Sequence, residues 1–138
     1  MHANGAFLEQ LTRDQCLRRM ADVAVGRIVY TRLAMPAVEL VNFAIVDGDI
    51  VIRTSKSGKL AAAIAGAVVA FEVDQLDIGA QSGWSVTAVG ESREVTDPVD
   101  LERLNRIGLN TWAPGDHAHY IRISPQILNG RMIRTGKR

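Results

Sequence analysis

Apolar residues recur along this chain in two rhythms. From residue 12 to 26 the spacing is helical: Leu17, Met20, Ala21 and Ala24 gather on one side, while Arg13, Arg18 and Arg19 mostly lie elsewhere. Thr12 is a good N-cap and Gln15 stands three residues on, as in a capping box. Gly26 suits an exit from helix to strand. Strand patterning then takes over. It predicts strands over 26–32, after a break at Pro36 over 38–46, and over 50–54. Asp47-Gly48-Asp49 between the last two is a hairpin signal, so these strands are antiparallel. Ser57 can cap a short helix running from Lys59 to Ala65, which Gly66 ends. The run 67–73 is apolar enough for a strand buried on both faces, and 84–95 predicts a longer strand in which Gly90 marks a bulge or sharp bend. Asp97 and Pro98 open another helix as cap and first residue, with Leu101, Leu104 and Ile107 or Gly108 lining one face. A loop over 110–116 leads to a strand over 117–124. Asn129-Gly130 predicts a second hairpin, joining 127–128 to 131–133.

Short connections and tight turns favour an antiparallel sheet, and closure into a barrel removes its exposed edges. The expected class is mainly β with peripheral α: a six- to seven-stranded antiparallel barrel with two or three short helices. At 138 residues it is read as one domain with one core, spanning the whole sequence.

Composition removes several function classes. Aromatic residues make up 5%, which leaves few rings for stacking nucleic-acid bases, and a formal charge of +1 gives no broad basic face. No apolar run approaches the roughly 20 residues of a membrane span. Residues 1–10 lack the basic start and apolar stretch of a signal peptide, so a cytoplasmic protein is expected. Cys16 is the only cysteine, excludes an intramolecular disulfide, and reads as a core residue of the first helix.

The segment most able to carry chemistry runs from Arg53 through Thr54, Ser55, Lys56, Ser57 and Gly58 to Lys59 and Leu60. It is a strand end, a hydroxyl-rich turn and a helix start, which together offer backbone N–H groups, hydroxyls and two cations to an anion. The glycine spacing is not that of a Walker loop, and a solvated turn with a capped helix accounts for the segment equally well. His117 and His119 would share one strand face, yet no third metal ligand stands at a recognisable spacing, so no metal site is expected. Ser85 follows Gly83-Trp84 but lacks the glycine of a nucleophile elbow.

Taken in order, the segments resemble one family. Residues 42–54 with Ser57-Gly58-Lys59-Leu60, then 69–74, 83–90, Trp112-Ala113-Pro114-Gly115, 121–125 and Gly130-Arg131 are similar to the pyridoxamine 5′-phosphate oxidase-like split barrels. Within them the branch that includes nitroimidazole-resistance proteins is nearest. The resemblance covers about residues 8 to 134, and no single motif carries it alone.

That resemblance implies a homodimer with FMN between its subunits and a small-molecule substrate. The FMN phosphate would be held by Arg53, Thr54, Ser55 and Lys59. The isoalloxazine ring would lie along the strand of Val41, Asn42 and Phe43, and Trp84, Ser85 and Trp112 of the partner subunit would complete the pocket. The chain end, 131–138, is short and does not match the basic substrate-binding segment of the vitamin B6 oxidases, so that substrate is not implied. A flavin carries the redox chemistry itself, which fits a sequence with no catalytic triad. The family also contains F420-dependent reductases and non-catalytic flavin- or haem-binding modules, and these alternatives stay open.

Overall fold

A computed structural model describes residues 6–54, 59–109 and 119–135. In chain order the elements are β1 (Ala6–Leu11), α1 (Arg13–Ala21), β2 (Val25–Arg32), β3 (Met35–Val46), β4 (Asp49–Thr54), α2 (Lys59–Ile64), β5 (Val68–Asp77), β6 (Ser82–Glu94), α3 (Pro98–Ile107), β7 (His119–Ile123) and β8 (Ile127–Thr135). The strands lie in the order β1-β8-β6-β5-β2-β3-β4-β7, and β6 also pairs with β7. Six strands therefore close into a ring, while β8 and β1 branch away from β6. All pairings are antiparallel.

The branch point is built by one glycine. β6 pairs with β8 from Gly83 to Val89 and with β7 from Ser92 to Glu94. Gly90 sits between the two stretches, where a Cβ would lie 2.0 Å from the carbonyl oxygen of Ser124. Only a residue without a side chain lets the two segments approach so closely. The strand glycine expected at a bulge or bend stands at this close approach, within an unbroken ladder to β5.

Inside the ring, alternate side chains make the core. Ile28, Phe43, Ile52, Phe71, Val73, Val86, Ile121 and Ile123 are all at most 2% exposed. Phe43 and Phe71 meet edge to face at 4.9 Å, a favoured aromatic geometry. α1 starts with the capping box between Thr12 and Gln15 and buries Cys16 and Met20 in the same core. α3 carries the expected cap, Asp97, and ends on Gly108 in the left-handed conformation. It covers the outer face of β3, β4 and β7, where Val46, Val51 and Tyr120 pack with Leu104 and Val95.

Several local expectations are corrected. The break at Pro36 is not a break: the β2–β3 hairpin turns on Leu33 and Ala34, with φ of 51° and 64°, and β3 begins at Met35. Pro36 lies on the stretch of β3 that pairs with β2 alone, where a missing N–H is tolerated. Asn129-Gly130 is not a turn either; both sit within the continuous strand β8. Gly130 is there for space, because a Cβ would lie 2.5 Å from the sulfur of Cys16. α1 ends at Asp22 rather than near Gly26, and β1 adds a strand that no hydrophobic alternation announced.

Candidate functional site

Arg53 is the next-to-last residue of β4, directly opposite Asn42 on β3 and Tyr120 on β7. All three point outward, toward the end of α3. The Arg53 Nη1 donates to the carbonyl of Leu109 at 2.9 Å. Its Nε is buried and has no hydrogen-bond partner among the described residues. Asn42 and Thr54 beside it are buried polar residues, 7% and 9% exposed. The Thr54 hydroxyl donates to the carbonyl of His119 at 3.3 Å. A buried guanidinium N–H without an acceptor is costly in a native protein.

The strand expected to face a ring divides by parity. Phe43 is 2% exposed and points into the barrel against Phe71, and Val41 packs against the same core. Only Asn42 of the three presents its side chain on the Arg53 side. Lys59 opens α2, but its side chain lies outside the described residues, as do Ser55, Ser57, Trp112 and His117.

Trp84 and Ser85 are brought to a different place, on β6 far along the sheet from Arg53. Trp84 points inward and is 6% exposed, a core residue whose edge reaches the surface. Ser85 points outward between Asp74 on β5 and Arg131 on β8. Here the outer sheet face carries two adjoining depressions. One, of about 380 Å³, is lined mainly by Leu76, Ile78, Trp84 and Ile133; the other, of about 470 Å³, by Gln10, Thr87, Asn129 and Leu8. Ser85 and Arg131 border both. Sequence reasoning passed over Arg131 as a ligand group because an arginine near a chain end carries no pattern. Its outward parity with Ser85 emerges only once β6 and β8 are in register.

Charges elsewhere are largely satisfied. Arg27 bridges Glu72 at 3.1 Å and Asp74 at 3.0 Å. Burial, and then the neighbouring Asp74, push the Glu72 carboxyl above the usual value. The Tyr30 phenol donates to Glu39, and that bond raises its pKa. His119 meets Glu94 at 2.9 Å, and no group of three or more metal-ligating side chains exists among the described residues. Within the same residues no helix is long and apolar enough to cross a membrane.

A six-stranded antiparallel ring with a strand pair branching from it, two short helices at its ends and a helix over one flank defines the split-barrel class. The chain belongs to the pyridoxamine 5′-phosphate oxidase family, whose sequence pattern it matches over residues 12–132. An uncharacterized protein of Mycobacterium tuberculosis is 38% identical over 134 residues, covering 94% of this chain and 88% of that one. The structure of an FAD-binding protein from Mycobacterium smegmatis matches with a TM-score of 0.77 and 31% identity, over 91% of this chain and 98% of the other. A Corynebacterium glutamicum protein named for pyridoxamine 5′-phosphate oxidase gives 0.83 and 28%, over 95% and 96%.

Proposed function

We propose that this protein binds a flavin between two copies of the chain and serves as a flavin-dependent oxidoreductase acting on a small organic molecule. The observation that carries the reading is the buried, unpartnered Nε of Arg53 beside Asn42 and Thr54. A phosphate oxygen is the acceptor that fits a guanidinium best, because charge-assisted bonds to phosphate are short and strong. The M. smegmatis relative, 31% identical, is described as binding FAD. We therefore read the group at Arg53 as the 5′-phosphate that FMN and FAD share, with FMN as the working cofactor.

Bound there, the flavin would supply hydride and electron transfer. The chain's own part is to hold and shield it. Arg53 anchors the phosphate, Asn42 presents an amide along β3, and the Phe43–Phe71 core beneath keeps that strand rigid. The homodimer is supported by the outer sheet face of β8 and β1, where Leu8, Ile127 and Ile133 are 46–64% exposed; large exposed apolar areas mark association surfaces.

The test is differential. Arg53→Ala and Lys59→Ala should weaken FMN roughly ten- to a hundredfold and leave riboflavin nearly unchanged, since each removes a charged hydrogen bond to phosphate. Equal losses for both ligands would sink the phosphate assignment. The absorbance spectrum of the purified protein separates flavin from F420 and from haem. Light scattering should give twice the 15.0 kDa chain mass. Anaerobic NADPH or NADH should bleach the FMN-loaded protein, and a quinone should restore its colour; a spectrum that no donor changes would make it a binding module instead.

A further inference from the structure

Arg53 is held at its tip by the far end of α3. Its Nη1 donates to the carbonyl of Leu109 at 2.9 Å. Leu109 follows Gly108, whose φ of 70° turns the chain out of the helix. Where that carbonyl sits therefore depends on how α3 lies on the sheet. Apolar packing of Leu101, Leu104 and Leu109 against Val46, Val51 and Tyr120 presses the helix down. Such contact is non-directional and leaves the position of α3 along its own axis loosely set. Among the described residues, two polar contacts set it. The Arg103–Asp47 pair, at 2.8 Å, is more than half exposed on both sides and is screened by water. The other is the Tyr120 phenol, which donates to Oδ1 of Asn105 at 2.9 Å from a residue only 3% exposed. Tyr120 stands directly opposite Arg53 across β4 and β7. Neighbours on the sheet thus reach two points of the α3 segment four positions apart, about one helical turn.

We propose that Tyr120 and Asn105 are positioning residues for the anion site at Arg53. Their hydrogen bond fixes the end of α3, the Leu109 carbonyl at that end holds one arm of the guanidinium, and Nε is left for the group it binds. The inference rests on the phosphate reading at Arg53 and adds what controls that site. An arginine side chain free to turn loses rotamer freedom when it captures a ligand. One tethered at Nη1 has lost that freedom already, so less affinity is given up on binding. The coupling runs both ways. If a docked α3 favours phosphate by some factor, phosphate favours the docked α3 by the same factor. FMN should therefore tighten the last turn of α3, and riboflavin, which has no phosphate, should not.

The experiment uses the full chain, freed of any cofactor, titrated with FMN and with riboflavin. Tyr120→Phe keeps the buried ring and removes only the hydroxyl. It should weaken FMN roughly three- to tenfold, the worth of one neutral hydrogen bond, and leave riboflavin unchanged. Asn105→Ala, on the outer side of the same bond, should do the same. In an Arg53→Ala background no guanidinium is left to position, so Tyr120→Phe should cost FMN nothing further. In the wild-type protein, amide exchange at 104–108 should slow with FMN and not with riboflavin, and that protection should shrink in Tyr120→Phe. Urea titration confirms that each variant is folded under the conditions of binding. A Tyr120→Phe protein that binds FMN as tightly as wild type, or loses both ligands alike, overturns the positioning role. So does a full extra loss on top of Arg53→Ala, or an α3 that FMN does not protect. In each of these cases the reading at Arg53 stands if Arg53→Ala by itself still discriminates against FMN. An Arg53→Ala protein that loses both ligands equally removes that reading and this inference with it.

Discussion

On β3, β4 and β7 the outward side chains disappear beneath α3: Val46 is 7% exposed, Val51 1% and Tyr120 3%. On β8 and β1 the same outward parity leaves Ile133 at 46% and Leu8 at 64%. The strands of the two flanks are alike in composition, so the difference lies in what packs on them. The covered flank encloses a guanidinium and an asparagine, and enclosure is what makes a single missing hydrogen bond costly. The bare flank offers area, with an arginine at its centre that water already satisfies. On the covered flank a few contacts carry the energetic weight, whereas the bare flank presents open apolar area.

The sharpest way to break this comparison is a matched pair of truncations. Leu104→Ala empties the contact between α3 and the sheet and should cost about 2–5 kcal/mol of stability. Ile133→Ala on the bare flank should cost no more than about 0.5 kcal/mol, while weakening self-association at low protein concentration. Denaturant titration and light scattering read the two effects separately. Equal stability losses would show that the bare flank is covered within a single chain.

A somewhat smaller effect is expected where the flanks are joined through α1. Gly130→Ala puts a methyl against the sulfur of Cys16, a fully buried thiol whose pKa burial raises. Overpacking of this kind costs about 1–3 kcal/mol, and it should speed the reaction of Cys16 with a thiol reagent by loosening α1. An unchanged labelling rate together with unchanged stability would mean that β8 shifts to make room.

The smallest effect concerns pH on the bare flank. Glu72 is held above its ordinary value of 4.5, first by burial and then by Asp74. A carboxyl raised in the folded state binds its proton more tightly there than in the unfolded chain. Its contribution is therefore present at low pH and lost as pH rises from about 4.5 through the raised value. Glu72→Gln should abolish that loss, flattening the dependence of Tm on pH with a gain of at most ~0.5 kcal/mol at neutral pH. A variant less stable than wild type at neutral pH would show that the contact with Arg27 outweighs the repulsion.

What the sequence revealed follows the range of the interactions involved. The capping box of α1, the Asp97 cap of α3 and the Asp47-Gly48 turn were legible because each is settled within four residues; Asp47 and Gly48 have φ of 53° and 80° and carry the residue types that such angles favour. The β2–β3 turn adopts the same left-handed angles at Leu33 and Ala34, which carry no such signal, so the break between the strands was placed wrongly at Pro36. Gly130 was misread for the opposite reason. Its residue type speaks of a turn, while its cause is a cysteine more than a hundred positions away. β1 was invisible because Phe7 and Leu8 are both exposed and its partner is the last strand. Around the candidate site, the hydroxyl-rich neighbourhood of Arg53 is a local pattern, but the inward turn of Phe43 and Trp84 depends on register, which local pattern does not fix.

The double pairing of β6 has a kinetic consequence. The ring is closed by three register pairs only, Ser92↔Ile123, Arg93↔Arg122 and Glu94↔Ile121, whereas β8 holds β6 through seven. The closing stretch also sets two arginines opposite each other, and Asp49 neutralises one of them at 2.8 Å. The barrel's seam is thus shorter than the attachment of the strand pair that branches from it. The Arg93 amide proton, which faces β7, should exchange with solvent before the β6 amides that face β8 over 83–89, through brief excursions in which the ring opens into a sheet while β8, α1 and their shared core stay in place.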